Sequence, residues 1–357
     1  MKKFIAIVMT LALCLSMTSA LAAEGQALVS WYTFGDAYLS TVRAVLGPAL
    51  EEKGFNVNDQ DANNVQQKQT DDVGNAVIMG ASVLIVNMVD SSAAGTAETM
   101  MITAENAGVP IVFFNRSVGT DEEAEALFAA HPNSAYIGTD QTMAGHMQGK
   151  MVGEYVLEHY DEIDLNGDGV ISYVMFKGNE ANQEAIYRTQ FGQEDADAVL
   201  TAAGKPALSF YDANNSNKYL VDLNGSWSSV AANDYMTTIL SQYNEANGNM
   251  VELVIANNDE MALGAINALQ GAGYNLNDGG LTIPVFGVDA TATAKEAIAN
   301  GYMIGSISQD NVGMADAVAT IAANLAEGKD KFDGLNENYD IMGDWRVNIP
   351  YAVYTGE

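Results

Sequence analysis

Short runs of consecutive apolar residues alternate along this chain with longer stretches in which apolar residues recur every third or fourth position. The first pattern predicts strands buried on both faces, and the second predicts helices that cover them. Strands are predicted at 27–33, 55–58, 83–89 and 111–114, separated by helices at 37–53 (closed by Gly54), 66–79 and 93–107. The alternation restarts with a helix at 143–160, an Asp/Asn/Gly-rich loop and a strand at 171–176. Helices at 182–203, 231–243, 261–272, 292–300 and 312–327 then interleave with strands at 208–211, 252–256, 285–288 and 303–307, and a final strand is expected around 346–353. Such alternation is the signature of βαβ units and parallel sheets, so the fold class is α/β. Two consecutive sheets without a Pro- or Ser-rich linker imply lobes that share several short crossovers. Open α/β sheets bind ligands beyond the carboxyl ends of their strands, so two facing lobes would share one cleft.

Polar residues stand at those strand ends. Asp36 follows the first strand, Asn115 ends 111–114, Lys177 and Asn179 follow 171–176, Asn257-Asn258-Asp259 end 252–256, and Asp289 ends 285–288. Any one of them is explained as a cap for the next helix; five equivalent positions together predict a polar cleft. Tyr38 and Trp227, the latter in Gly225-Ser226-Trp227-Ser228, add aromatic faces, and Arg188 on the predicted 182–203 helix adds one of few cations. Sugar rings pack their C–H faces on aromatic rings, and their hydroxyls need planar polar partners. Core packing is the alternative reading for both aromatics.

Charge narrows the picture. Lys and Arg total 15 against 46 Asp and Glu, a formal charge of −31, which argues against nucleic acid or an anionic lipid surface as partner. Lys2 and Lys3, an apolar run over 4–17 and the small residues Thr18-Ser19-Ala20-Leu21-Ala22-Ala23 predict a secretory signal peptide at 1–23. The single cysteine, Cys14, falls inside it, so the mature chain is expected to use neither disulfides nor thiolate metal sites. No nucleophile elbow, phosphate-binding loop, dinucleotide fingerprint or zinc-helix motif occurs, and catalysis is not expected. The run 164–172 does match the first part of an EF-hand loop. Asp164, Asn166 and Asp168 supply side-chain oxygens at positions 1, 3 and 5, Gly169 is position 6, Val170 offers its carbonyl and Ser172 is position 9. Position 12 is Met175, so a calcium ion here would need oxygens from elsewhere in the chain.

Taken together, four segments resemble the periplasmic galactose/glucose-binding proteins, which are sugar receptors feeding ABC importers and often chemoreceptors. They are Val109-Pro110-Ile111-Val112-Phe113-Phe114-Asn115, the calcium loop, Val254-Ile255-Ala256-Asn257-Asn258-Asp259, and Ile283-Pro284-Val285-Phe286-Gly287-Val288-Asp289-Ala290. The resemblance covers nearly the whole mature chain. It implies a two-lobe fold, each lobe a parallel sheet flanked by helices, joined by a three-stranded hinge. The first lobe would be 24–138 plus 310–343, and the second 139–309 plus 344–357. It also implies that Asp36, Asn115, Arg188, Asn258 and Asp289 bind sugar hydroxyls, that Tyr38 and Trp227 sandwich the ring, and that Glu252 completes the calcium sphere. Asn182 and Glu184 stand where that family carries His and Asp, Gln309 replaces an Asn, and Ser172 replaces a longer Gln. These changes keep hydrogen-bonding ability but alter side-chain length. The resemblance therefore implies a monosaccharide ligand, D-galactose or D-glucose, and leaves open a pentose or furanose-like sugar. It further implies an ABC permease, and in some members a chemoreceptor, as partner, and a location in the periplasm or on the outer face of the cell membrane; a monomer is the default expectation.

Overall fold

The computed structural model describes residues 25–356; the predicted signal peptide and Cys14 lie outside the described residues. The first sheet contains β1 (Gly25–Trp31), β2 (Phe55–Asp61), β3 (Val83–Val86), β4 (Ile111–Phe114), β5 (Ser134–Gly138), β12 (Asp340–Met342) and β13 (Arg346–Asn348). Its order is β12-β13-β5-β4-β3-β1-β2, parallel except for the β12–β13 pair. The second contains β6 (Ser172–Lys177), β7 (Ser209–Phe210), β8 (Leu220–Val221), β9 (Leu253–Ala256), β10 (Val285–Asp289), β11 (Gly305–Gln309) and β14 (Tyr351–Tyr354). Its order is β14-β11-β10-β9-β6-β7 with β8 on β6, and only β14 runs antiparallel.

β3, β4 and β9 read VLIV, IVFF and LVIA, and every one of their residues is buried. Unbroken apolar runs of this kind follow from helices on both sheet faces. On the first sheet, α1 (Ala37–Glu52) and α11 (Asn311–Ala326) cover one face, and α2 (Gln66–Ile78), α3 (Ala94–Asn106) and α4 (Asp121–Ala130) cover the other. The second sheet packs into one apolar core with α5 (Met143–Glu158), α6 (Tyr160–Ile163), α7 (Gln183–Ala202), α8 (Ser229–Leu240), α9 (Asp259–Gly271) and α10 (Ala292–Ala299). The apolar pattern did not predict α4, which starts at a capping box made by Thr120 and Glu123, nor the short β5 that follows it.

The chain crosses between lobes after β5, between β11 and α11, and between β13 and β14. The single strand expected at 346–353 is thus two strands in different sheets. Ile349 N–H still bonds Gly138 O in the first lobe at 2.8 Å. Pro350 has no N–H to continue the ladder, and Tyr351 begins a new pairing with Gln309. The lobe boundary expected at 343/344 accordingly lies near Pro350, and 344–348 belong to the first lobe.

Helices α5 and α7 approach closely because Gly145, Gly149 and Gly153 recur every fourth residue on one face of α5. A Cβ at Gly149 would overlap the carbonyl oxygen of Phe191. Because α7 carries site residues, Gly149→Ala is expected to destabilise the protein by about 2 kcal/mol in chemical denaturation, the scale of an overpacked interior. An unchanged midpoint would show that the helices part without cost.

Candidate functional site

The carboxyl ends of both sheets converge. Asp36 caps α1 by accepting from Leu39 N–H at 2.8 Å. Asn182 and Asn258 cap α7 and α9 in the same way. Asp289 ends β10, and Gln309 ends β11. Glu184 and Arg188 stand one turn apart on α7. Asn115, Trp227 and Asp289 all have positive φ, at 61°, 57° and 113°. Such backbone is costly outside glycine and concentrates where side chains must be aimed.

All ten residues expected from the sequence at the cleft line one cavity: Asp36, Tyr38, Asn115, Asn182, Glu184, Arg188, Trp227, Asn258, Asp289 and Gln309. Tyr32 and Arg116 join them and were missed. Tyr32 fell inside the strand predicted at 27–33, while Arg116 directly follows Asn115, where only the first polar residue past the strand was counted. The Arg116 guanidinium stacks 4.1 Å from the centroid of Tyr32, whose hydroxyl donates to Asp36 Oδ2 at 2.7 Å. Other strand-end polar residues turn away from the cavity. Asn257 accepts from Gly178 N–H, Asn179 from Ala181 and Asn182 N–H, and Asp259 from Ser306 and Thr291; the Lys177 ammonium lies over the Tyr219 ring.

Arg188 is 2% exposed and organises the chamber. Its Nη1 donates to Asn257 O at 2.9 Å and lies 3.9 Å from Asp289 Oδ1; its Nη2 reaches Tyr351 Oη at 3.1 Å and Glu184 Oε2 at 3.4 Å. Burial alone would lower its pKa, but Tyr351, Glu184 and Asp289 together hold it above the ordinary value. Burial pushes Asp289 well above the carboxylate range, with Arg188 opposing. It likewise raises Tyr38, helped by the charge of Asp289, so the phenol remains a donor.

Among the described residues, the buried polar atoms without a partner include Tyr38 Oη, Arg116 Nε, Arg188 Nε and Gln309 Nε2, all from residues of this cavity. Buried donors without partners are costly, so four around one chamber mark a place shaped for ligand oxygens. Three carboxyl groups (Asp36, Glu184, Asp289) face two guanidinium groups (Arg116, Arg188), which suits a neutral ligand better than an anion.

Trp227 lies flat against Gly178, where any Cβ would overlap its indole ring. Gly178→Ala is therefore expected to displace the indole and weaken ligand binding about tenfold, read by titration of intrinsic fluorescence. Unchanged affinity would remove Trp227 from the binding wall.

The 164–172 loop folds on itself. Asp164 Oδ2 accepts from Gly169 N–H at 2.9 Å, Asn166 Oδ1 from Asp168 N–H at 2.8 Å, and Asp168 Oδ1 from Val170 N–H at 2.8 Å. Glu252, 0% exposed, reaches the loop from the adjacent strand end. Its Oε1 accepts from Leu165 N–H at 2.8 Å and its Oε2 from Ser172 N–H at 2.7 Å. Burial raises its pKa despite these bonds. Asp164 Oδ1 is buried without a partner, an oxygen that a hard cation would satisfy. No group of three or more His, Cys, Asp or Glu residues is gathered in metal-holding geometry among the described residues.

A family model described as periplasmic binding protein domain matches residues 27–330. The D-galactose/methyl-galactoside binding periplasmic protein MglB of Haemophilus influenzae is 30% identical over 351 residues, covering 97% of this chain and 95% of that protein. A putative rhizopine-binding protein of Rhizobium meliloti is 28% identical, covering 77% of this chain and 76% of its own length. Among solved structures, a Clostridium phytofermentans ABC transporter solute-binding protein with bound β-D-glucose aligns with a TM-score of 0.69 at 19% identity, covering 93% of this chain and 94% of that one.

Proposed function

The chain belongs to the periplasmic binding protein domain family, and from that premise we propose that it is the sugar-capturing protein of an ABC importer, with D-galactose or D-glucose held between its lobes. It is a binding protein and not an enzyme, as are the relatives it matches. The observation that carries the sugar reading is the chamber itself. Residues of both lobes line it, and most of them are polar or charged. Its unpartnered donors and nearly balanced charges fit a neutral polyhydroxyl compound. Tyr38 and Trp227 supply the apolar faces, and Asp36, Asn115, Asn182, Glu184, Arg188, Asn258, Asp289 and Gln309 the hydroxyl partners. Ligand binding favours the closed arrangement, because only there do both walls reach it, and closure is what a permease can read. Family members work outside the cytoplasm, and the predicted signal peptide accords with that location.

The test is titration of tryptophan fluorescence in the mature chain with D-galactose, D-glucose, D-ribose and L-arabinose. Saturable binding of a hexose at micromolar concentration or below, with the pentoses weaker, is the expected result. Preference for a pentose would reassign the ligand, and no response to any sugar would remove the reading.

We further propose calcium in the 164–172 loop, held by Asp164, Asn166, Asp168, the Val170 carbonyl, Ser172 and Glu252. The buried, unpartnered Asp164 Oδ1 supports it, as does the buried Glu252 carboxylate, both of whose oxygens face the loop. Calcium at a hundredfold excess over its dissociation constant would stabilise the folded chain by about 2.7 kcal/mol. Removing it with a chelator is expected to lower the thermal midpoint, and equal midpoints in calcium and chelator would refute the site.

A further inference from the structure

Each of the three crossings between lobes delivers one side chain to the same point. Thr139 follows β5, Gln309 ends β11, and Tyr351 opens β14 just beyond Pro350. The Tyr351 hydroxyl lies 3.0 Å from Thr139 Oγ1, 3.1 Å from Arg188 Nη2 and 3.4 Å from Glu184 Oε1. Thr139 donates to Glu184 Oε1 at 2.9 Å, and Arg188 Nη2 lies 3.5 Å from Gln309 Oε1. These contacts, with the Asn257 carbonyl on Nη1, leave Nε as the one Arg188 nitrogen that is buried without a partner. Tyr351 itself does not line the chamber.

We infer that Tyr351 is a positioning residue that aims Arg188 Nε–H at the ligand and ties that contact to the inter-lobe crossings. The inference rests on the sugar-receptor reading above. Two consequences follow from the geometry. Thr139, Glu184, Arg188, Gln309 and Tyr351 all stand on the second-lobe side of the crossings, so the knot fixes Arg188 within that wall and slows ligand release. An Arg188 whose terminal nitrogens are engaged also cannot offer the two-pronged face that a carboxylate takes up. The site should therefore accept a neutral hexose and reject the corresponding hexuronate.

The experiment compares wild type with Tyr351→Phe and Thr139→Val, using stopped-flow fluorescence with D-galactose, D-glucose and D-galacturonate, and thermal unfolding of the ligand-free chains. Tyr351→Phe is expected to weaken hexose binding about tenfold, the scale of one hydrogen bond to a charged group, mainly through faster dissociation. The hexose-to-hexuronate preference should narrow, and Thr139→Val should act in the same direction. Ligand-free thermal midpoints should stay near that of wild type. Dissociation rates and sugar preference within twofold of wild type would overturn the inference, as would a loss of affinity matched by general destabilisation. If wild type binds none of the sugars, the receptor reading fails and the positioning role falls with it; a wild type that binds beside variants that match it overturns the positioning role alone.

Discussion

Replacing Arg188 with methionine is expected to reduce sugar affinity about a thousandfold, equivalent to about 4 kcal/mol. Methionine keeps much of the apolar stem but removes the guanidinium that faces Glu184 at 3.4 Å and Asp289 at 3.9 Å. Both carboxyl groups are almost fully buried, so they are left without a compensating charge, a change that typically costs about 3–5 kcal/mol. The Asn257 carbonyl and the Tyr351 hydroxyl lose their donor at the same time. Isothermal titration should read the affinity loss, and denaturant unfolding of the ligand-free variant should show lower stability. Retention of sugar affinity within tenfold would mean that the guanidinium is a structural strut and that the ligand lies elsewhere in the cleft.

Folding stability should also fall as pH rises from 5 to 8, opposite to the usual behaviour of carboxylates held in salt bridges. Asp259 is fully buried beneath the chamber, accepting from Ser306 Oγ and Thr291 N–H, each at 2.7 Å. These bonds favour the charged form, but burial outweighs them and pushes its pKa up to about 7. An unfolded aspartate titrates near pH ~3.9. Between those values the folded chain holds a proton that the unfolded chain has released, so stability declines through the window. The contribution is complete below about pH 4, is lost above about pH 7, and is on the order of 4 kcal/mol. Asp289 is raised for the same main reason and acts in the same direction. Urea unfolding at pH 5, 6, 7 and 8, with chelator present throughout, measures the slope. Asp259→Asn should flatten the profile, and stability that rises with pH would contradict the assignment.

The site was legible in the sequence to the extent that each residue's role is local. Asp36, Asn115, Asn258 and Asp289 stand at strand ends, where apolar pattern gives way to polar residue, and parallel sheets place such ends on one edge. Trp227 announced itself as an aromatic residue in a Gly/Ser loop, but its positive φ and its packing on Gly178 are products of the folded loop. Arg116 and Tyr32 escaped because neighbouring residues had already explained their positions. Asn257 and Asp259 had the same strand-end signal as Asn258, yet they turn inward to satisfy backbone and hydroxyl groups.

Strand and helix periodicity, helix caps and the resemblance to sugar-binding receptors are properties of neighbouring residues, and the chain by itself determined them. The tertiary structure decided the partition of the last strand at Pro350, the burial that lifts Asp259 and Asp289, and the convergence of Thr139, Gln309 and Tyr351 on Arg188. Those features depend on segments up to 212 positions apart, as in the Thr139–Tyr351 contact. A one-dimensional pattern reports which face a residue occupies, whereas the energy of a buried charge depends on which partners the fold brings within hydrogen-bonding reach.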